Sequence, residues 1–174
     1  EGSDYSANSI AQAKKYENDK LHFFEHDMRN PLPKKYDYIL NLFTSFGYFD
    51  SDEEHFETLG NVQQGLKNGG TFVFDFMNVD YVLEHLVYEE QITKGHIEFD
   101  IKRELVRGKI TKHITFLDKR IPYHFTEEVA ALKADKLLQM MKDCGFKMID
   151  VFGNYDLEPF DRKTSKRLIL ILEK

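Results

Sequence analysis

The chain has 174 residues, 41% of them hydrophobic and 31% charged, and its formal net charge is −6. A chain of this size can bury one core, and no apolar run approaches the roughly 20 residues that a membrane helix needs, so we expect one domain without a membrane span. The basic residues occur in pairs near acidic ones, which argues against a nucleic-acid partner, and the one cysteine, Cys144, excludes an internal disulfide and favours the cytoplasm.

The first half of the chain alternates between helix and strand patterns. Apolar residues three or four positions apart predict helices over residues 6–17, capped by Ser6, and over residues 51–66. Short apolar segments predict strands at residues 21–24, 36–42 and 71–76, the last after the turn Asn68-Gly69-Gly70. We expect the strand at 36–42 to be buried, because it is too apolar for one solvated face. This order predicts a parallel α/β sheet.

The second half interrupts this pattern with an antiparallel insertion. A short helix at residues 79–86 is followed by alternating segments at 97–101, 110–116 and 121–125, which predict a β meander over residues 88–130. A helix at 134–144 and strands at 146–152 and 167–172 then resume the α/β order. We therefore predict a core formed by residues 1–87 and 131–174, with residues 88–130 inserted into it.

The opening residues resemble the end of a strand that runs into a helix. The first residue is Glu1 rather than methionine. We therefore expect the natural polypeptide to start further upstream, and a cloning remnant at residues 1–3 is the alternative explanation.

Polar residues follow the predicted strands where ligands bind in open α/β sheets, outside the carboxyl ends. Asp4 could accept hydrogen bonds from both hydroxyls of a ribose, and a carboxylate favoured by the helix dipole explains it equally well. Asp27 could accept the amine of a purine while Met28 packs on the ring, and a surface turn with Arg29 and Asn30 is again an equal alternative.

Several segments together resemble the class I S-adenosylmethionine-dependent methyltransferases. They are Gly2-Ser3-Asp4-Tyr5-Ser6, His26-Asp27-Met28-Arg29, Tyr36-Asp37-Tyr38-Ile39-Leu40-Asn41 and Leu66-Lys67-Asn68-Gly69-Gly70-Thr71-Phe72, where Asn68 replaces the family's frequent proline. The closing strands at 146–152 and 165–172 and the insertion around 123–128 also fit. The resemblance implies a Rossmann-like sheet with a terminal antiparallel pair.

The resemblance also implies site residues. By position, the donor S-adenosylmethionine would contact Asp4, Tyr5, Asp27, Met28, Asn41, Leu42 and Phe43. The family's glycine-rich loop has no counterpart, so the chain resembles a methyltransferase truncated at its amino end. Such a fragment could bind the donor poorly or not at all, because that loop holds the donor through close backbone approach.

The expected reaction is in-line methyl transfer to a small-molecule acceptor that the sequence does not identify. Tyr48, Asn78 and Tyr155 are candidates for the acceptor side, and the meander is a candidate substrate lid. His85 and His124 are candidate bases by residue type alone. The aromatic residues Phe43, Phe46, Tyr48 and Phe49 could face the sulfonium or belong to the core.

Other functions remain open at this stage. A non-catalytic fragment of the same fold is one alternative, and a nucleotide-dependent oxidoreductase is a weaker one. No metal site is expected, because no histidine and cysteine cluster has ligand spacing and residues 50–54 suit a helix start. The sequence leaves open whether the protein forms a homo-oligomer.

Overall fold

The structure of this protein is a computed structural model that describes residues 1–174. Its strands and helices, in chain order, are β1 (Gly2–Asp4), α1 (Ala7–Ala13), β2 (Phe23–Glu25), β3 (Tyr36–Asn41), α2 (Asp52–Gly65), β4 (Leu66–Met77), α3 (Val79–Glu84), β5 (Glu89–Lys94), β6 (Ile97–Val106), β7 (Lys109–Asp118), β8 (Ile121–Ala130), α4 (Ala134–Asp143), β9 (Lys147–Phe152) and β10 (Arg167–Glu173). The helices are too short or too polar to cross a membrane.

The strands form three separate sheets. β1 and β2 pair in parallel, the main sheet has the order β3-β4-β10-β9, and β5 to β8 form an antiparallel meander. In the main sheet β3 runs parallel to β4, whereas β10 runs antiparallel to both of its neighbours. The predicted α/β fold with a terminal antiparallel pair and an inserted meander is therefore confirmed.

β3 is an edge strand, which corrects the expectation that it is buried. It pairs only with β4, and its side chains Tyr38 and Leu40 are 67% and 57% exposed because no other element covers that face. The start of β3 is tied to the start of β1 through Glu1, whose carboxylate accepts hydrogen bonds from Lys34 Nζ (2.7 Å) and Tyr36 Oη (2.6 Å). β1 and β3 are thus neighbours that share no hydrogen-bond ladder.

One strand begins earlier than predicted, and one strand was not predicted at all. β4 begins at Leu66, so the predicted turn at residues 68–70 lies inside the strand, where the register with β3 shifts. Gly69 supplies the left-handed backbone, with φ at 72°, that such an irregularity requires. The strand Glu89–Lys94 was not predicted, because its sequence lacks an apolar alternation and its strand form depends on pairing with β6.

The core lies between the main sheet and the helices α2 and α4. Alternate side chains of the two central strands are fully buried there: Phe72, Phe74, Phe76, Leu168, Leu170 and Leu172. The loop between β3 and α2 contributes Phe46, which is 1% exposed and whose ring lies 5.4 Å from that of Phe74 and 5.0 Å from that of His55. Phe46 therefore anchors this loop to the core.

The same loop holds the meander in place. The Ala130 N–H donates to the Gly47 carbonyl at 2.7 Å, and Lys109 Nζ lies 2.6 Å from the Asp50 carboxylate. A side chain at Gly47 would press on Val129, at 3.0 Å, and its φ of 95° also favours glycine. The loop of residues 42–50 thus joins three parts of the molecule.

We expect Phe46→Ala to lower the free energy of unfolding by about 3 kcal/mol or more, because it opens a cavity in the core. The matched control is Phe125→Ala, since Phe125 is 54% exposed on the meander, and it should cost less than about 1 kcal/mol. Urea unfolding followed by circular dichroism measures both. Equal losses would show that Phe46 does not anchor the loop.

We expect His55 to make stability depend on pH. Burial lowers the pKa of His55 below its ordinary value of 6.5, while Nδ1 donates to the Ser51 carbonyl at 2.6 Å. The unfolded chain then takes up a proton more readily than the folded one, so stability is lost as the pH falls from 6.5 toward the lower pKa of the folded state, by up to about 1.4 kcal/mol per pH unit.

Urea unfolding between pH 7.5 and pH 5 measures this slope. His55→Gln should flatten it over this window, whereas His96→Gln, which changes a side chain that is 83% exposed, should leave it nearly unchanged. A His55→Gln protein with the parental slope would contradict the assignment.

Candidate functional site

A groove of about 600 Å³ lies at the carboxyl ends of β1 and β2 and is closed on one side by the loop of residues 42–50. Its walls combine predicted site residues with others that were not predicted. They are Ser3, Asp4, Tyr5, His26, Asp27, Met28, Arg29, Ser45, Tyr48, Phe49, Asp50 and Glu54. Four of the residues predicted for the donor and one predicted for the acceptor thus share one groove.

Asp4 stands where β1 passes into α1. Its Oδ1 accepts the Ser6 N–H at 2.7 Å, and the Ser6 hydroxyl caps the helix by accepting the Ser9 N–H at 3.2 Å. Asp4 is exposed, and its Oδ2 has no partner within the chain. One oxygen of Asp4 therefore supports the helix start while the other stays free to accept hydrogen bonds from a ligand.

Asp27 is held by an arginine that follows it. Arg29 Nη2 lies 2.6 Å from Asp27 Oδ2, and the Arg29 N–H donates to Asp27 Oδ1 at 3.0 Å. The Arg29 guanidinium keeps the pKa of the Asp27 carboxyl below its usual range. Arg29 also donates to Glu54 Oε1 at 2.9 Å, so that one cation is shared between two carboxylates of the groove.

Apolar groups lie beside this charged network. Met28 packs partly against the core, and Phe49 carries the Arg29 guanidinium over its ring at 5.7 Å. Phe49 contacts His55 through ring centroids 5.2 Å apart. The groove therefore offers a carboxylate-rich side and an apolar side, which together suit a nucleoside better than an inorganic ion.

A smaller cavity of about 90 Å³ adjoins the groove and shares Ser3, His26 and Met28 with it. Asn41, at the end of β3, lines this cavity. His26 Nε2 and Asn41 Oδ1 are both buried without a hydrogen-bond partner. Because buried polar atoms are nearly always paired, these two atoms indicate a polar group that would complete this end of the site.

Tyr48 connects the groove wall to the meander. Its hydroxyl donates to Glu127 Oε1 at 2.9 Å, and burial together with that carboxylate raises the pKa of Tyr48 to about 12. Glu127 is also 3.5 Å from Lys112 Nζ. Tyr48 therefore stays a neutral hydrogen-bond donor that connects the groove wall to β8.

The remaining predicted residues do not line the groove. Leu42 and Phe43 lie in the loop just beyond it, with Phe43 74% exposed. Asn78 is 2% exposed and uses its amide to donate to the carbonyls of Arg162 (2.8 Å) and Ser165 (2.7 Å). Tyr155 is 60% exposed, and its hydroxyl donates to Asp75 Oδ2 at 3.0 Å.

The aromatic and histidine candidates likewise divide into residues that line the groove and residues that lie elsewhere. Phe46 belongs to the core, whereas Tyr48 and Phe49 line the groove. His85 stacks on Tyr81 at 4.1 Å, and His124 lies on the meander. Neither histidine lines the groove. The side chains of His, Cys, Asp and Glu form no group of three arranged to hold a metal ion.

Arg29 and Glu54 were not predicted as functional residues. Arg29 stands in the quoted segment 26–29, but it was interpreted as part of a turn. Glu54 reaches the groove from the first turn of α2, 25 positions from Arg29 in the chain. The one sequence signal for the ion pair of Arg29 with Glu54 is a charge pattern, in which acidic residues and a single arginine follow the predicted strand ends.

A second depression, of about 670 Å³, lies on the meander between residues such as His96, Asp100 and Tyr123. Its lining residues all belong to the meander, and none of them was predicted to contact the donor. The groove instead lies at the carboxyl ends of β1 and β2, where ligands of open α/β sheets bind, and it is the candidate site for that reason.

Comparison with known proteins adds distant relatives, while no family model matches the chain. A glycine/sarcosine/dimethylglycine N-methyltransferase of Actinopolyspora halophila is 27% identical over 124 residues, which cover 70% of this chain and 21% of that protein. An uncharacterized protein, L16, of Acanthamoeba polyphaga mimivirus is 27% identical over 158 residues, covering 78% and 58%. The chain thus spans a fifth to somewhat over half of these relatives.

Solved structures give closer agreement in shape. An S-adenosylmethionine-dependent methyltransferase from Clostridium acetobutylicum superposes with a TM-score of 0.85 at 19% identity, over 98% of this chain and 73% of that one. The CcbJ methyltransferase from Streptomyces caelestis gives 0.79 at 14% identity, covering 98% and 72%. CalS10 of Micromonospora echinaspora, an amino pentose methyltransferase solved with S-adenosylmethionine bound, gives 0.70 at 13%, covering 99% and 73%. The chain therefore has the fold of the S-adenosylmethionine-dependent methyltransferases.

Proposed function

We propose that this chain carries the nucleoside-binding part of an S-adenosylmethionine site in a methyltransferase that acts on a small molecule. The observation that carries the proposal is the groove at the ends of β1 and β2. It brings together Asp4, Tyr5, Asp27 and Met28 in a chain with the methyltransferase fold. Ligands of open α/β sheets bind at such strand ends.

Asp4 is the proposed ribose contact. Its Oδ1 is fixed by the Ser6 N–H, which orients the carboxylate, and its Oδ2 is free toward solvent. A carboxylate held in this way can accept hydrogen bonds from vicinal hydroxyls without losing its contact to the helix start. The two explanations of Asp4 from the sequence are therefore compatible.

Asp27 and Met28 are the proposed adenine contacts. Asp27 is kept ionised by Arg29, which donates to both of its oxygens, so an exocyclic amine would bind by sharing or displacing one of these hydrogen bonds. Met28 and Phe49 supply apolar surface for the ring. Arg29 then acts as a positioning residue that holds the Asp27 carboxylate against β2.

The groove holds the proposed contacts for the nucleoside end of the donor, and its lining does not include Asn41, Leu42 or Phe43. When bound, S-adenosylmethionine supplies an electrophilic methyl group on a sulfonium. The unpaired atoms His26 Nε2 and Asn41 Oδ1 line the adjoining cavity and are free to hydrogen bond with a polar group of the donor. This chain covers 72% and 73% of two solved methyltransferases with the same fold.

The meander is the proposed lid on the acceptor side. It is joined to the groove wall through the contact of Tyr48 with Glu127 and the ion pair of Lys109 with Asp50. The name of CalS10 refers to an amino pentose, which supports a small-molecule acceptor. Methyl transfer requires donor and acceptor to be held in line, and a lid that excludes water serves this purpose. The terminal antiparallel pair β9–β10 argues against an oxidoreductase.

We expect Asp4→Ala to weaken binding of S-adenosylhomocysteine by about 10- to 100-fold, because hydrogen bonds to a charged acceptor contribute about 1.5–3 kcal/mol. Asp19→Ala removes the same charge from an exposed position after α1 and should change the affinity less than about twofold. Isothermal titration calorimetry measures both, on this chain and on a longer protein that continues upstream of Glu1.

Binding by the longer protein alone would support a donor site shared between this chain and upstream residues. Binding by both would mean that the groove suffices. If neither binds, the protein is a non-catalytic relative of the fold and the proposal fails.

A further inference from the structure

Two consecutive residues in the groove-lining loop have left-handed backbones although neither is glycine. Phe43 has φ at 58° and Thr44 has φ at 62°. This conformation is rare for residues other than glycine and is a clear outlier for a β-branched residue such as Thr44. The surrounding structure must therefore hold this turn.

The buried carboxylate of Asp75, at the end of β4, contacts the turn directly. Its Oδ2 accepts the Phe43 N–H at 2.7 Å, and its backbone carbonyl accepts the Thr44 N–H at 3.1 Å. Asp75 is 1% exposed. Both backbone donors of the left-handed turn are thus satisfied by one residue that lies 31 or more positions away in the sequence.

Other side chains fix Asp75 in turn. Arg167, the first residue of β10, donates through Nε to Asp75 Oδ1 at 2.7 Å and through Nη2 to the Thr44 hydroxyl at 3.0 Å. Tyr155 donates its hydroxyl to Asp75 Oδ2, and its ring meets the Phe43 ring edge-on, with centroids 6.3 Å apart. The carboxylate is therefore fully paired, as a buried charge has to be.

The turn sets the path of the groove wall. Directly after it come Ser45, Tyr48, Phe49 and Asp50, which line the groove, and Phe46, which enters the core. We propose that Asp75 is a positioning residue that holds the Phe43–Thr44 turn and thereby shapes the wall of the ligand groove. The part of this inference that concerns the ligand rests on the proposed donor site.

Amide hydrogen exchange without ligand tests the positioning role. Asp75→Asn keeps the size of the side chain but removes the charge, and it should speed exchange of the Phe43 and Thr44 amides by at least tenfold. The exchange rates of the amides at the centre of β10 should change by less than threefold. Equal acceleration in both places would mean general destabilisation and would overturn the inference.

Rescue at the turn separates local positioning from global stability. Thr44→Asn should restore slow exchange in the Asp75→Asn protein to within about threefold of the parent, because asparagine tolerates left-handed backbones and has almost the same volume as threonine. Thr44→Val, the matched control, stays β-branched and should not restore it. Failure of Thr44→Asn to rescue would also overturn the inference.

The affinity for S-adenosylhomocysteine gives a second readout. Asp75→Asn should weaken binding by about tenfold and Thr44→Asn should recover most of the loss. If exchange responds as expected and affinity does not, Asp75 holds the turn without shaping the groove, and the inference is wrong. If neither the parental chain nor the longer protein binds S-adenosylhomocysteine, the proposed function fails, and hydrogen exchange of the Tyr48 and Phe49 amides alone decides whether Asp75 shapes the wall.

Discussion

The structure depends most on the path of one short loop between β3 and α2. Residues 42–50 hold a left-handed turn against the end of β4, insert Phe46 into the core, and hydrogen bond the meander through Gly47. The same residues form one wall of the groove. Because one segment serves the main sheet, the core, the meander and the site, a change in its path would alter all four together.

The charged side chains of the groove lie close to solvent, and they differ in whether they have a partner. Four carboxylates line it, and the only cation among the lining residues, Arg29, is shared between Asp27 and Glu54. Asp4 lies apart from this network and keeps one oxygen free. The physical difference between these acids is therefore their partners. Asp4 therefore has an oxygen free for the proposed ribose contact, whereas Asp27 can contact the adenine amine only by sharing its hydrogen bonds with Arg29.

The sequence was sufficient to predict that several site residues lie together, because the order of the strands brings them to one edge of a sheet. Residues that end parallel strands meet at one edge of a sheet, which brought Asp4, Asp27 and Met28 into the groove. Their partners could not be predicted in this way. The contact of Asp75 with Arg167 joins positions 92 residues apart, and no periodicity or local motif encodes such a pairing.

Other expectations differ from the structure for the same reason. They concern which residues pack against an element, and not whether that element is a helix or a strand. β3 was expected to be buried because its residues are apolar, yet Tyr38 is 67% exposed. Asn78 was predicted on the acceptor side from its position after a strand. Its amide instead holds the loop before β10, a contact with residues 84 and 87 positions away. Composition predicts well whether a segment is a helix or a strand, but it predicts poorly which parts of the chain pack against that segment.

The open edge of β3 also has a consequence for how the chain behaves in solution. Its unpaired N–H and C=O groups, beside the exposed apolar side chains of Tyr38 and Leu40, form a template on which a strand from another molecule can pair. Natural sheets usually protect such edges with charge, proline or a covering element. Here charged side chains lie only near the start of the strand, where Lys34 pairs with Glu1 and Asp37 pairs with Lys67. A strand from another molecule or from a longer form of this protein can therefore pair with this edge, and either one would satisfy its free N–H and C=O groups.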